Sequence, residues 1–138
     1  MERARAGPNG RERSERKHIF VVNDSAAFLE LMWELLAEQY TVTTMRVSLQ
    51  AVDQAVTLRP DLILVDLVIG DNAGWDVLES LRAGAATSDI PIVVLSTDPR
   101  LIARARDNID RYGGNAFVTK PFDLVVLLDV IAGQIGQA

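Results

Sequence analysis

Four short apolar runs in this chain each end in side chains that handle a phosphoryl group or a divalent cation. Ile19-Phe20-Val21-Val22 leads into Asn23-Asp24, and Leu62-Ile63-Leu64-Val65 leads into Asp66. Ile92-Val93-Val94-Leu95 leads into Ser96, and Phe117-Val118-Thr119 leads into Lys120. Carboxylates ligate hard cations and can act as covalent nucleophiles, while a hydroxyl and an ammonium donate to phosphoryl oxygens. If the runs are strands of one open parallel sheet, their ends share the edge where such sheets bind ligands.

The elements that must position these residues alternate along the chain. Continuous apolar runs between helical stretches read as strands buried on both faces. The periodicity predicts a first helix over 26–39, with Phe28, Leu31, Met32, Leu35 and Leu36 on its apolar side. A β-branched strand over 41–46 and a helix over 49–58 follow, the latter stopped by Pro60. The third strand is predicted over 62–67, a turn over 70–74, and a helix over 75–82. A fourth strand over 92–95 precedes a helix over 100–111, with Pro99 at its start and Gly113-Gly114 at its end. The last pair is a strand over 116–119 and a helix over 122–135. Five strands alternating with five helices predict an α/β, flavodoxin-like, doubly wound parallel sheet in a single domain.

Length and composition bound the function. A chain of 138 residues is expected to form one domain that buries roughly two thirds of its unfolded surface. No apolar stretch approaches the ~20 residues of a membrane span, and the charged N-terminus has no signal-peptide core. Cysteine is absent, which excludes disulfides and thiolate metal sites. Residues 1–17 carry six basic and three acidic side chains, and the remainder eight basic and sixteen acidic. An acidic body argues against a nucleic-acid-binding face, and the charged leader is expected to be disordered. There is no Walker-type phosphate loop and no D-x-D after the first strand, which weighs against a nucleotide-binding protein and against a phosphatase.

Val21-Val22-Asn23-Asp24, Pro60 to Asp66, Val93-Val94-Leu95-Ser96 and Thr119-Lys120-Pro121-Phe122 stand in an order that resembles the response-regulator receiver domain of two-component signalling. The resemblance covers about residues 18–135. It implies that Asp66 accepts a phosphoryl group from a histidine kinase or a histidine phosphotransfer protein. It implies Mg²⁺ held by Asp24, Asp66 and the backbone carbonyl of Val68, with Asn23 acting weakly through water. Ser96 and Lys120 would bind the phosphoryl group, Phe117 would follow Ser96 as a switch residue, and the Lys120–Pro121 bond would be cis. Val68 and Asp98 occupy positions that tune dephosphorylation. Each residue also has a plainer role available: Asp66 as a turn cap, Asp24, Ser25 or Ser96 as helix caps, Phe117 as core, and Lys120 as a solvated charge.

Departures from the family pattern bear on efficiency. Asn23 stands where a second acidic residue is usual, and losing an outer-shell partner costs a metal site ~10–100-fold in affinity. Gly70 and Asn72-Ala73 alter the loop after the third strand, and apolar Val68 cannot orient an attacking water. In the last helix Val126 and Val130 lie opposite the core-facing Leu124, Leu127, Leu128, Ile131 and Ile135. That surplus apolar strip is expected to dock a downstream protein partner or form a homodimer. Glu30, Glu34 and Glu38 form an acidic ridge on the first helix, and Arg106–Asp110 and Asp107–Arg111 are spaced for ion pairs. The expectation is a stand-alone cytoplasmic receiver over 18–138, a switch rather than a turnover enzyme. The rival is a degenerate receiver that docks partners without phosphorylation.

Overall fold

The computed structural model of the protein describes residues 16–67, 72–121 and 123–135. Its strands are β1 (His18–Val22), β2 (Thr41–Met45), β3 (Leu62–Leu67), β4 (Ile92–Ser96) and β5 (Ala116–Thr119). All pair in parallel in the order β2-β1-β3-β4-β5. Its helices are α1 (Ala26–Leu36), α2 (Gln50–Leu58), α3 (Ala73–Ala83), α4 (Pro99–Asp107), α5 (Ile109–Tyr112) and α6 (Leu124–Ile135).

Side chains alternate across each strand, so the sheet builds two cores. Ile19, Val21, Leu62, Leu64, Val93 and Leu95 face Leu29, Met32 and Leu36 of α1 and Leu127 and Ile131 of α6. Phe20, Val22, Ile63, Val65, Leu67 and Val94 face α2, α3 and α4, with Trp75, Leu78, Leu81 and Ile102 among them. Each such fully buried side chain contributes about 1.5–3 kcal/mol relative to exposure. The predicted α/β architecture is the one formed, and β3 and β5 match residue for residue.

The helices depart from expectation in four places. First, the predicted 100–111 helix is two, giving six among the described residues. Asn108 leaves helical geometry (φ −125°, ψ 42°) and its Nδ2 donates to the Arg104 carbonyl at 2.7 Å, a side-chain bond that competes with the backbone ladder. The break re-aims one turn so that Tyr112 packs on Trp75, ring centroids 4.7 Å apart. It also breaks the i,i+4 register: Arg111 pairs with Glu79 of α3 at 2.9 Å, and the Arg106 guanidinium lies 5.2 Å from the Phe117 ring centre.

Second, α1 stops at Leu36, and the following turn delivers Tyr40, 1% exposed, into the core. Leu31, expected on the apolar side, is 48% exposed, and Leu29 is buried instead. Arg16 donates to the Ala37 carbonyl at 2.7 Å, so the end of the expected leader is tied to the C-terminus of α1, where a cation is favoured. Third, Gly74 belongs to the first turn of α3 rather than to the preceding turn. Fourth, α6 begins at Leu124, with Asp123 Oδ1 accepting from Val125 N–H at 2.8 Å.

Candidate functional site

The chain leaves β1 toward β2 on one side and returns to β3 on the other, so the strand order reverses between β1 and β3. A crevice opens there at the carboxyl ends of the strands. Asn23, Asp24, Ser25, Phe28, Asp66 and Lys120 line a cleft of about 380 Å³ at this point.

Asp66, one residue from the end of β3, is 5% exposed. Lys120 Nζ lies 2.7 Å from its Oδ1. The contact is an ion pair off the hydrogen-bonding direction, because Oδ1 has no aligned donor among the described residues. Burial raises the Asp66 pKa above the ordinary carboxylate range, and nearby Asp24 adds to the rise. Lys120 and the Asn23 amide oppose it. Lys120 Nζ also sits 4.6 Å from the Phe28 ring centre, so the ammonium is held between a carboxylate and an aromatic face.

On the β1 side, Asn23 is 2% exposed. Its Oδ1 accepts from Ser25 N–H at 2.7 Å, while Nδ2 has no hydrogen-bond partner among the described residues. Ser25 is the N-cap of α1, its Oγ accepting from Phe28 N–H at 3.2 Å. Capping is thereby done without Asp24, which is exposed at the mouth of the cleft.

On the β4 side, Ser96 is 1% exposed. Its Oγ donates to the Leu67 carbonyl at 2.9 Å and accepts from Asp98 N–H at 3.1 Å. The helix cap is Asp98, which accepts from Arg100 N–H at 2.9 Å. The Arg100 guanidinium grips the same carboxylate, Nη2 to Oδ2 at 2.8 Å, and holds its pKa below the usual carboxylate range. Phe117 is half-buried beside Gly114, where an added Cβ would lie 2.8 Å from the ring. The Lys120–Pro121 bond is cis.

The structure thus brings Asn23, Asp24, Asp66 and Lys120 together, with Ser96 tied to the neighbouring Leu67 carbonyl. Val68 and Gly70 lie outside the described residues. Of the expected partner strip, Val126 is 51% exposed, but Val130 is half-buried against the core under α6, and Val125 is 63% exposed in its place. Two residues were missed. Phe28 was read as core, although its place one turn beyond Asn23-Asp24 was a usable signal. Gly74 lets α3 approach the site: a Cβ there would lie 2.9 Å from the Asp66 carbonyl oxygen.

Among the described residues no three His, Cys, Asp or Glu side chains form a metal-holding group. Mg²⁺ often takes only one or two carboxylates plus water and phosphate oxygens, so Asp24 and Asp66 fit that ion. No helix among the described residues is long and apolar enough to cross a membrane.

Comparison with known proteins places this geometry. The family model for the response regulator receiver domain matches residues 19–132. The polar-differentiation response regulator DivK of Brucella anthropi is 27% identical over 88% of this chain and 98% of its own length. The transcriptional regulator RpaA of Synechocystis sp. is 30% identical over 80% of this chain. The chain spans 45% of that regulator and 39% of another relative, VirG of Agrobacterium tumefaciens. Among solved structures, the receiver domain of a sensor histidine kinase from Pseudomonas aeruginosa is 26% identical with a TM-score of 0.71. The match covers 88% of this chain and 98% of that one, which carries a magnesium ion coordinated in its active site cleft.

Proposed function

This chain belongs to the response regulator receiver family, and we propose that it is a phosphoacceptor switch modified on Asp66. The observation that carries the reading is the buried Asp66 carboxylate held by Lys120 at the β1/β3 crevice. An Asp66 oxygen attacks the phosphorus of a phosphohistidine or a small acyl phosphate. The new P–O bond forms as the donor's P–N or P–O bond breaks, and the leaving group keeps that electron pair. Asp24, Asp66 and the Val68 carbonyl, with Asn23 weakly through water, would hold Mg²⁺, which when bound would supply charge neutralisation. The remaining lone pair of Asn23 Oδ1, beyond the one Ser25 N–H occupies, suits that water-mediated role.

Lys120 follows the charge from the carboxylate onto a phosphoryl oxygen. Ser96 Oγ exchanges the Leu67 carbonyl for another phosphoryl oxygen, and Phe117 fills the space its movement leaves. This two-state element carries the signal to a partner surface formed by α4, β5 and α6, with Val125 and Val126 as its apolar part. Asp98 tunes the lifetime of the phosphoform, and its grip by Arg100 keeps its carboxylate from acting as a base on water. The donor is a histidine kinase or histidine phosphotransfer protein, and the recipient of the signal is a downstream protein.

One observation favours a second reading, a docking module that needs no phosphorylation: the cleft holds an amide, Asn23, where a carboxylate would help retain the ion. Incubation with Mg²⁺ and a small acyl phosphate, followed by intact mass, separates the two. The first reading expects one phosphoryl group, absent in Asp66→Asn. Failure with both small donors and active phosphohistidine donors selects the second.

A further inference from the structure

A side-chain amide places one acceptor and one donor on opposite sides of a single carbon, so fixing one fixes the other. In Asn23 the acceptor is fixed: Oδ1 receives the Ser25 N–H at 2.7 Å. Ser25 is itself anchored as the N-cap of α1. A flip of the amide would set N–H against N–H, which dictates the orientation from the hydrogen bonds alone. Nδ2 is therefore directed away from the α1 cap, on a side chain only 2% exposed that lines the cleft with Asp66 and Lys120.

Buried donors are nearly always partnered; Asn23 Nδ2 makes no well-aligned hydrogen bond among the described residues, and the acceptor it approaches is the Asp66 carboxylate, whose pKa it lowers. The groups around it are carboxylates and an ammonium, so the chemistry it can serve is that of an oxygen anion in the cleft. We infer that Asn23 is a phosphoryl-binding residue, its Nδ2 donating to an oxygen of the phosphoryl group carried by Asp66. The inference rests on the phosphoacceptor reading above and adds a donor to those of Lys120 and Ser96. A phosphoryl group brings about −1.5 to −2 charge, and an amide meets it with a hydrogen bond where a carboxylate would meet it with repulsion. The cleft thus exchanges a charge that retains the cation for a donor that retains the anion. Modification of Asp66 then leans less on the divalent ion.

The test uses the full chain, labelled with ¹⁵N and treated with a small acyl phosphate in Mg²⁺, with intact mass followed in parallel. The Asn23 side-chain amide protons are expected to shift downfield and to exchange with water several-fold more slowly once the phosphoryl mass appears. Labelling in limiting Mg²⁺ is expected to fall in Asn23→Ala relative to the unaltered protein. In saturating Mg²⁺, Asn23→Asp is expected to label at least as fast. Phosphoryl mass with unmoved Asn23 amide resonances overturns this inference and leaves the phosphoacceptor reading standing. No phosphoryl mass under any donor overturns both.

Discussion

Lys120 Nζ stands 2.7 Å from Asp66 Oδ1 and 4.6 Å from the centre of the Phe28 ring. Its charge therefore faces a carboxylate on one side and a π-face on the other. Truncating it to Met strands a buried carboxylate and is expected to destabilise the protein at pH 7 by about 2–4 kcal/mol, the lower end reflecting partial solvent screening at Lys120. Urea denaturation measures this, and a loss near zero would mean that solvent already neutralises Asp66.

The pH dependence of Asp66 has a definite sign. Its folded pKa is raised above the ordinary 3.8, so the folded state binds the proton more tightly than the unfolded chain. That contribution to stability is complete below the unfolded value and is lost as pH rises through the raised folded one. Asp66→Asn does not titrate. It is expected to gain on the unaltered protein from about pH 4 upward and level off once Asp66 is ionised. Parallel stability curves across that range would contradict the assigned burial cost.

Gly74→Ala is expected to weaken both fold and site. The added methyl lies 2.9 Å from the Asp66 carbonyl oxygen, so either α3 or the end of β3 must shift. Overpacking costs about 1–3 kcal/mol and helix propensity returns about 1 at most. A net loss in the denaturation midpoint, with slower labelling of Asp66, is the expected pair of results.

Arg106 and Phe117 should show coupling in a double-mutant cycle. The guanidinium lies 5.2 Å from the ring centre, a cation–π contact worth about 0.5–1 kcal/mol at an exposed site. Arg106→Gln and Phe117→Leu, combined, should cost less than the sum of the two alone by that amount. Strict additivity would show that the two side chains do not act on one another.

The side chain of Val68, two residues beyond Asp66, has no polar atom with which to orient water. The phosphoform is expected to outlast minutes, and Val68→Asn to shorten its lifetime several-fold. Decay of the unaltered phosphoform within seconds, followed by intact mass, would refute this.

What the sequence disclosed and what it hid divide along physical lines. Strands buried on both faces must be apolar throughout, so β3 and β5 were legible to the residue. The cleft residues were legible because each closes such a run. Sequence spacing does not reveal that Asn108 donates its side-chain amide to the Arg104 carbonyl and splits a helix, because that outcome depends on where Tyr112 finds Trp75. Nor does it separate the Phe28 that walls the cleft from Leu29 beside it, which is buried in the core. That distinction is set by how α1 is rotated on the sheet. Val130 failed as a surface residue for the same reason, since an angle on a helical wheel does not give the height of the neighbours.

The Asp66–Lys120 pair also spans the sheet. Asp66 belongs to β3 and Lys120 follows β5, so the contact reaches across β4. β5 is an edge strand, paired over four residues and on one side only. It is the strand least restrained by its neighbours, and it carries Phe117. A change in the charge at Asp66 is therefore felt through Lys120 at an edge of the sheet, while the strands behind it serve as the anvil.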